Sequence, residues 1–206
     1  RAFLNQLFHF DQPRLVIRGN GVALCRETEF GVFFLAGDRY VDQVSGLEIV
    51  LDQVTGLFLH HDQHSPPSFE IQFREEGFAC AIYPSGTPRS LETLDGIVKS
   101  FATEPADPAE LRAAGAARWL DECLALPASD SIEAREPFLR ATEKPGELQL
   151  ELQSEGFSFS GPFQPGNLDS DGGILRISDC RHKTVVYSST SLGSNHLPPK
   201  LARLVG

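Results

Sequence analysis

The sequence predicts an α+β protein, with antiparallel β-sheets from two related β units and a helical segment between them. Three observations lead to this prediction. Short apolar runs, many of them alternating with polar residues, recur along the chain between Gly, Asn and Pro turn signals. Residues 91–126 instead have the apolar spacing and the Ala, Leu, Arg and Glu content of helices. A glycine-centred hairpin pattern occurs near each end of the chain.

The first unit begins with a predicted short amphipathic helix over residues 2–10, which Pro13 ends. Strands are predicted at 15–17 and 22–25, joined by a tight turn at Asn20-Gly21, because both residue types tolerate positive φ. Further strands of this unit are predicted at residues 31–36, 47–51, 57–59, 69–73 and 78–83, with a turn at 52–56.

The helical segment is predicted as two helices, 91–101 and 109–126. Asp107 is placed to cap the second helix, with Pro108 at its first position. Residues 127–145 are polar and acidic and contain three prolines, which predicts a linker. The second, shorter unit has predicted strands at 148–152, 157–159, 174–177 and 184–187, with a loop at 161–173.

The two units show an internal echo. Residues 15–25 align without gaps on residues 150–160, and both segments consist of a strand, a glycine turn and a strand. Later, 46–52 aligns on 173–179 and 57–60 aligns on 184–187, which pairs His60 with Tyr187. We therefore expect residues 1–206 to form a single domain of two pseudo-repeats, 1–126 and 146–206, joined by the linker at 127–145.

Composition excludes several classes of function. The chain of 206 residues has a net charge of −10, which argues against binding nucleic acid or an anionic membrane surface. Its longest apolar stretch, residues 30–36, is too short to span a bilayer, and the first residues lack the pattern of a signal peptide. The four cysteines show no CxxC spacing, so we expect free thiols in the cytoplasm.

Motifs for self-contained hydrolytic or transferase chemistry are missing: the chain has no nucleophile elbow, P-loop or dinucleotide fingerprint. One stretch, residues 167–174, copies the front of a calcium-binding loop in its N-x-D-x-D-G-x-I spacing. Its twelfth position is Ser178 instead of the bidentate Glu, so a polar turn between strands is the alternative interpretation.

The order of motifs in residues 15–101 resembles a known family. A strand-glycine-strand hairpin is followed by G-L-E-I-V-L-D at 46–52 and by L-F-L-H-H-D at 57–62. The strand A-C-A-I-Y-P at 79–84 and the segment S-L-E-T-L-D at 90–95 then precede a helix. This order is similar to that of the haem-utilisation family of the HemS/ChuS/ChuX type. The resemblance implies paired β units and the binding of haem or a similar tetrapyrrole.

The resemblance also implies the residues that hold the ligand. His60, at the end of the L-F-L strand, matches the family pattern best and would be the ligand of the metal. His61 and His64 follow in the same polar stretch, and Tyr187 aligns with His60 in the second unit. The alternative is an ordinary polar loop at a strand exit. Basic side chains for the carboxylates of haem are expected among Arg14, Arg18, Arg26, Arg39, Arg176 and Arg181.

Two functions follow as expectations. The first is a haem-binding, haem-utilisation or haem-trafficking protein. This sequence has few of the basic residues that suit the carboxylates of haem, which favours a ligand altered from that of the family. The second is a non-enzymatic, acidic interaction module of a chaperone-like or regulatory kind, acting as a homodimer or with a protein partner. The sequence leaves open whether the chain is an enzyme.

Overall fold

Two antiparallel β-sheets face each other across one apolar core in the computed structural model. The structure describes residues 1–19, 21–60, 67–75, 77–101, 139–144, 147–171, 173–189 and 201. The eight-stranded sheet contains, in spatial order, β12 (Asn167–Asp171), β13 (Ile174–Asp179), β14 (Thr184–Ser189), β2 (Val22–Glu27), β1 (Arg14–Gly19), β8 (Ala79–Tyr83), β7 (Ser68–Phe73) and β6 (Val54–His60).

The six-stranded sheet contains, in spatial order, β3 (Phe34–Ala36), β4 (Arg39–Asp42), β5 (Leu47–Ile49), β11 (Phe157–Phe163), β10 (Glu147–Gln153) and β9 (Leu139–Lys144). Two helices accompany the sheets, α1 (Leu4–Leu7) and α2 (Pro88–Phe101), and a 3-10 turn covers Leu51–Gln53. Within the described part of the chain, neither helix has the length and apolar content needed to cross a membrane.

The core lies between the sheets, where their inward-facing apolar side chains meet. Phe73 of β7 and Phe78 pack against Phe157 of β11, with ring centroids 5.0 and 6.4 Å apart. Towards the other end, Phe10, just after α1, stacks on Phe69 of β7 at 6.1 Å. All of these rings are buried in one continuous cluster, so the sheets and the helices share a single core.

The register of the strands confirms the echo between the two hairpins. In the first hairpin Ile17 lies opposite Leu24, and in the second Leu152 lies opposite Phe159. Both residues of the second pair are 135 positions after their counterparts, which is the offset of the sequence alignment. The two hairpins are therefore related in their backbone pairing as well as in their pattern.

The later part of the predicted alignment between the two units is wrong. After the first hairpin, the meander β3-β4-β5 joins the six-stranded sheet beside β11, the second strand of the other unit's hairpin. After the second hairpin, the meander β12-β13-β14 joins the eight-stranded sheet beside β2. Each unit thus completes the sheet of the other. In this exchange β14 occupies the place of β5, so the alignments of 46–52 on 173–179 and of His60 on Tyr187 do not hold.

The two meanders share a buried aspartate at equivalent places. Asp42 ends β4 opposite Leu47, and Asp179 ends β13 opposite Thr184, each five residues further along the chain. Each carboxylate accepts hydrogen bonds from the backbone N–H groups two and three residues later. Each also accepts one from a distant backbone N–H, that of Gly31 for Asp42 and that of Gln164 for Asp179. The aspartates therefore stabilise the turn that precedes the last strand of each meander.

We expect the Asp179 carboxylate to make the free energy of unfolding decrease at low pH. Burial raises the pKa of its carboxyl, but hydrogen bonds from Gln164 and His182 outweigh burial, so the net pKa is lowered. A lowered pKa means a contribution to stability that is present above about pH 4, the unfolded value, and is lost as the pH falls through the folded value. Urea unfolding of wild type and Asp179→Asn should therefore differ at pH 7 and converge as the pH falls below about 4. A constant difference would contradict this assignment.

Several predicted elements differ from the structure. The first helix covers only Leu4–Leu7, and in the stretch 31–36 only Phe34–Ala36 pairs as a strand. The helix predicted from residue 91 begins at Pro88, because the Thr87 side chain accepts from the backbone N–H of Ser90 and caps it. The predicted turn at 52–56 is a 3-10 turn followed directly by β6.

The sequence analysis missed three strands. Residues 39–42 form β4, the predicted loop at 161–173 contains the end of β11 and all of β12, and the predicted linker at 127–145 contains β9. Two of them, β9 and β12, lie at sheet edges, where a strand needs less apolar sequence because one side has no neighbour. The Asn20 position of the first turn, the helix predicted at 109–126 and residues 127–138 of the linker lie outside the described residues.

Candidate cofactor-binding face

The eight-stranded sheet has an outer face, which we define as the face turned away from the six-stranded sheet. Its centre is formed by small side chains, Val16 of β1, Ala23 of β2, and Ala79 and Ala81 of β8. All four are buried. We call these four residues the floor of the face, and Arg18 lies between Ala23 and Ala79 in the same row.

A row of cross-strand neighbours brings two predicted site residues to this face. Arg176 of β13 lies opposite Tyr187 of β14, which lies opposite Ala23, which lies opposite Arg18 of β1. Tyr187 and Arg18 are therefore two strand spacings apart, or about 10 Å, with only the Ala23 methyl between them. The exchange of meanders creates this row, because Tyr187 belongs to the second unit and Arg18 to the first.

A groove of about 720 Å³ lies around Tyr187. Arg14 and Arg176 line it as exposed cations, and Lys183 in its wall pairs with Glu27 at 2.8 Å. The groove lining also includes Cys25, Asn167, Asp169, Ser178, Asp179, Cys180, Thr184 and Val185.

Cys25 is a half-buried thiol in the lining of this groove. Burial raises the pKa of its thiol, and the nearby Glu27 carboxylate adds to this effect while Arg14 opposes it. Burial likewise raises the pKa of Cys80, which lies on the inner face. Cys25, Cys80 and Cys180 are free cysteines, as predicted, whereas Cys123 lies outside the described residues. A raised pKa keeps the two buried thiols protonated and poorly reactive.

Arg18 forms an ion pair with Glu70 of β7 through Nη2 and Oε1 at 2.7 Å. The two side chains are 20% and 6% exposed, and Gln72 also donates to the same carboxylate oxygen. Nearby, burial raises the pKa of the Tyr83 phenol, although a hydrogen bond with Ser68 opposes the shift. Much of the Arg18 charge is thus neutralised within the face, whereas Arg14 and Arg176 line the groove as exposed cations.

The strand that His60 ends, β6, lies at the far edge of the eight-stranded sheet. His60 ends β6 opposite Ser68, and this register position shares the face of Phe58 and Glu70. The His60 side chain and all of His61 and His64 lie outside the described residues. From β14 to β6 the order β14-β2-β1-β8-β7-β6 contains five strand spacings, about 24 Å along the sheet. Tyr187 and His60 therefore cannot bind the same metal ion.

Two other groups of predicted site residues are placed elsewhere. Arg26 points into the core, with its guanidinium 5.8 Å from the centre of the Phe159 ring, and Arg39 pairs with Glu48 on the six-stranded sheet at 3.8 Å. Residues 167–171 of the calcium-like stretch form β12, which is paired along its length with β13. The described residues contain no cluster of three or more His, Cys, Asp or Glu side chains arranged to hold a metal.

Sequence reasoning did not identify the floor of small residues or the role of Glu70. Alanines at 79 and 81 fit any strand, and only the pairing of β8 with β1 places them beside Arg18 and Val16. The signal available in the sequence was the single acidic residue in the strictly alternating segment 69–73, at a position that proves to be buried.

The fold is shared with solved structures. The chain resembles ChuS, described as an E. coli haem oxygenase, with a TM-score of 0.60 and 12% identity over 92% of this chain and 69% of that one. It also resembles holo-PhuS, described as a haem-binding protein from Pseudomonas aeruginosa, with a TM-score of 0.57 and 11% identity over 92% and 68% of the two chains. No family model matches the sequence, and no curated protein matches it either. At sequence identities this low, the similarity shows a shared fold and no more.

Proposed function

We propose that this chain binds haem on the outer face of the eight-stranded sheet. The observation that carries the proposal is the groove around Tyr187, on a fold shared with proteins described as a haem oxygenase and a haem-binding protein. The sequence resemblance to the haem-utilisation family leads to the same ligand independently of the geometry. A cytoplasmic location fits the free thiols and belongs to this proposal.

The residues of the groove fit haem in size and chemistry. A volume of about 720 Å³ lies within the range of about 300 to 1,000 Å³ that is usual for ligand and cofactor pockets. The Tyr187 phenol supplies an oxygen of the kind that ligates ferric haem. Arg14 and Arg176, which line the same groove, supply the cations that carboxylate groups prefer. Bound haem would supply iron-centred redox chemistry, while the chain would hold, orient and screen it from water.

His60 is the second candidate for the ligand of the iron, with His61 and His64 as its neighbours. Its support is the sequence resemblance, in which a histidine follows the L-F-L strand. Because Tyr187 and His60 lie about 24 Å apart along the sheet, the two candidates define two separate positions for haem. The second function expected from the sequence was an acidic interaction module that acts as a homodimer or with a protein partner. The geometry of the described residues does not favour that function over haem binding.

A haem titration of three single variants distinguishes these positions. We expect the wild type to shift the Soret band of added haemin, and Tyr187→Phe to weaken binding at least about tenfold and change the visible spectrum. The reason is that phenylalanine keeps the ring and removes only the oxygen. Tyr40→Phe is the matched control, since Tyr40 is a half-buried tyrosine of the other sheet, and it should bind as the wild type does.

The third variant, His60→Ala, tests whether His60 binds the iron instead of Tyr187. Loss of the spectral change in His60→Ala, with normal binding by Tyr187→Phe, would move the ligand to His60 and overturn the assignment to the groove. A wild type that produces no Soret shift with excess haemin would overturn haem binding itself.

A further inference from the structure

One edge of the six-stranded sheet carries a cluster of exposed apolar side chains. β3 is the strand at this edge, and no described strand pairs with it on its outer side. Val32, Phe34, Leu35 and Val44 lie in or near β3 and are between 43% and 65% exposed. Val44 belongs to the cluster because its side chain lies against Gly31, the residue before Val32. We call Val32, Phe34, Leu35 and Val44 the edge patch.

The geometry of the β3–β4 hairpin directs the backbone of Leu35 towards the open edge. Ala36 lies opposite Arg39 across the two-residue turn Gly37-Asp38, and the φ of Gly37 is +67°, as in the hairpin turn that favours glycine first. In such a hairpin the pair beside the turn exchanges its hydrogen bonds, and the pairs then alternate. Leu35 comes one residue before Ala36, so both its N–H and its C=O point away from β4.

The other edge strands of the described structure carry features that prevent pairing with another chain. Such features include charged side chains and β-bulges. β9 contains three charged residues and β12 contains two. β6 has a register shift between Val54 and Gly56. By contrast, residues 30–37, which include β3, contain no charged residue and no proline. The edge at β3 is therefore the one best suited to accept a further strand.

We propose that two copies of this chain associate by antiparallel pairing of β3 with β3, about a two-fold axis between their Leu35 residues. A two-fold axis requires one surface that is complementary to itself. The register meets this requirement, because each Leu35 then donates its N–H to the Leu35 carbonyl of the other copy. Phe34 lies opposite Ala36 of the other copy, so a large side chain meets a small one. The two six-stranded sheets thereby become one continuous sheet.

The distribution of charge favours a second copy at this edge. Each chain has a net charge of −10, so two copies repel each other over most of their surfaces. The uncharged stretch 30–37 is a place where two copies meet without bringing like charges together. The acidic residue nearest to β3 along the chain is Asp38 in the turn, and antiparallel pairing separates the two Asp38 residues by about 20 Å along the strands.

The expected dimer is weak. Four partly exposed side chains supply less than the about 800 Å² per partner that a standard interface buries. We therefore expect a dissociation constant in the micromolar range, so that the dimer forms only at high protein concentration. The groove around Tyr187 lies on the other sheet, and the pairing of β3 does not rest on haem binding.

The test combines sedimentation velocity with amide hydrogen exchange, on the chain without haem, from about 5 µM to about 500 µM. The mean mass of the wild type should rise from monomer towards dimer over this range. The Leu35 amide should exchange more slowly as the mass rises, because it donates a hydrogen bond only in the dimer. This second measurement distinguishes pairing at β3 from association through another surface.

A lysine at the edge should prevent the pairing. We expect Leu35→Lys to raise the dissociation constant at least about tenfold, because the two-fold axis brings the two lysines together at the edge. Leu168→Lys is the matched control, since Leu168 is also an exposed leucine of an edge strand, β12, and the change in charge is the same. It should dimerise as the wild type does.

Three results would overturn the proposal. The first is a wild type that stays monomeric up to the highest concentration. The second is an equal loss of association in Leu35→Lys and Leu168→Lys, or association without protection of the Leu35 amide. The third is a Leu35 amide already protected in the monomer, which would place another segment of the chain on the edge. None of these results bears on haem binding, because all are measured without haem.

Discussion

Replacement of Asp42 by alanine is expected to lower the free energy of unfolding by about 3 to 4 kcal/mol. The carboxylate is buried and accepts from the backbone N–H groups of Gly31, Val44 and Ser45. It also accepts from the Ser45 hydroxyl at 2.6 Å. Alanine would leave these donors without an acceptor inside the protein, and each buried donor left unpaired costs about 1 kcal/mol or more.

The measurement is urea unfolding at pH 7, followed by circular dichroism. Asp38→Ala is the matched control, because Asp38 is an exposed aspartate in the preceding turn, and it should change stability by less than about 0.5 kcal/mol. Equal effects in the two variants would show that the Asp42 carboxylate does not organise its turn. Asp179→Ala should cost about as much as Asp42→Ala, because its hydrogen bonds follow the same plan.

The second large effect is expected at Gly46, where the two units meet. Its φ is +76°, and a Cβ added there would lie 1.9 Å from the carbonyl oxygen of Ser160 in β11. The same two residues are joined by a hydrogen bond from the Ser160 N–H to the Gly46 carbonyl. A side chain would therefore combine backbone strain with a collision that separates β5 from β11. Gly46→Ala should cost at least about 3 kcal/mol.

Gly37→Ala separates the two causes. Gly37 has nearly the same φ, +67°, but a Cβ there meets nothing within 4 Å. Only the backbone strain of about 1 to 2 kcal/mol should remain. Thermal or urea unfolding of both variants gives the difference between them, which measures the close approach of the strands. If Gly37→Ala were as destabilising as Gly46→Ala, the contact with Ser160 would have no part in stability.

The exchange of meanders links stability to the proposed site. Because β14 of the second unit pairs with β2 of the first, Tyr187 and Arg18 face one floor only when both units are folded together. Variants that separate β5 from β11, such as Gly46→Ala, should therefore also weaken haem binding under conditions, such as added urea, in which part of the chains is unfolded.

Periodicity determined the individual strands. The alternating segments 69–73 and 148–152 are strands, because alternation is the pattern of a strand with one buried face. The gapless alignment of the hairpins determined their relative register, since the glycine turn fixes which residues face each other. The sequence also identified Tyr187 as a site candidate, by an alignment with His60 that proves to be wrong.

Only the tertiary structure decided which strands are neighbours. Pairing between β14 and β2 or between β5 and β11 joins residues more than 100 positions apart, and any alternating strand fits beside any other in local pattern. The edge strands β9 and β12 escaped prediction for a related reason, since an edge strand is held by one neighbour instead of by its own apolar content.

The candidate site shows the same division. Residue types made Tyr187, Arg14 and Arg176 candidates, because phenols and guanidinium groups have the chemistry that haem requires. Their assembly around one groove, and the distance of His60 from it, depend on the order of strands in the sheet. That order results from burying two apolar faces against each other in one core, and burial is a property of the whole chain that no local segment records.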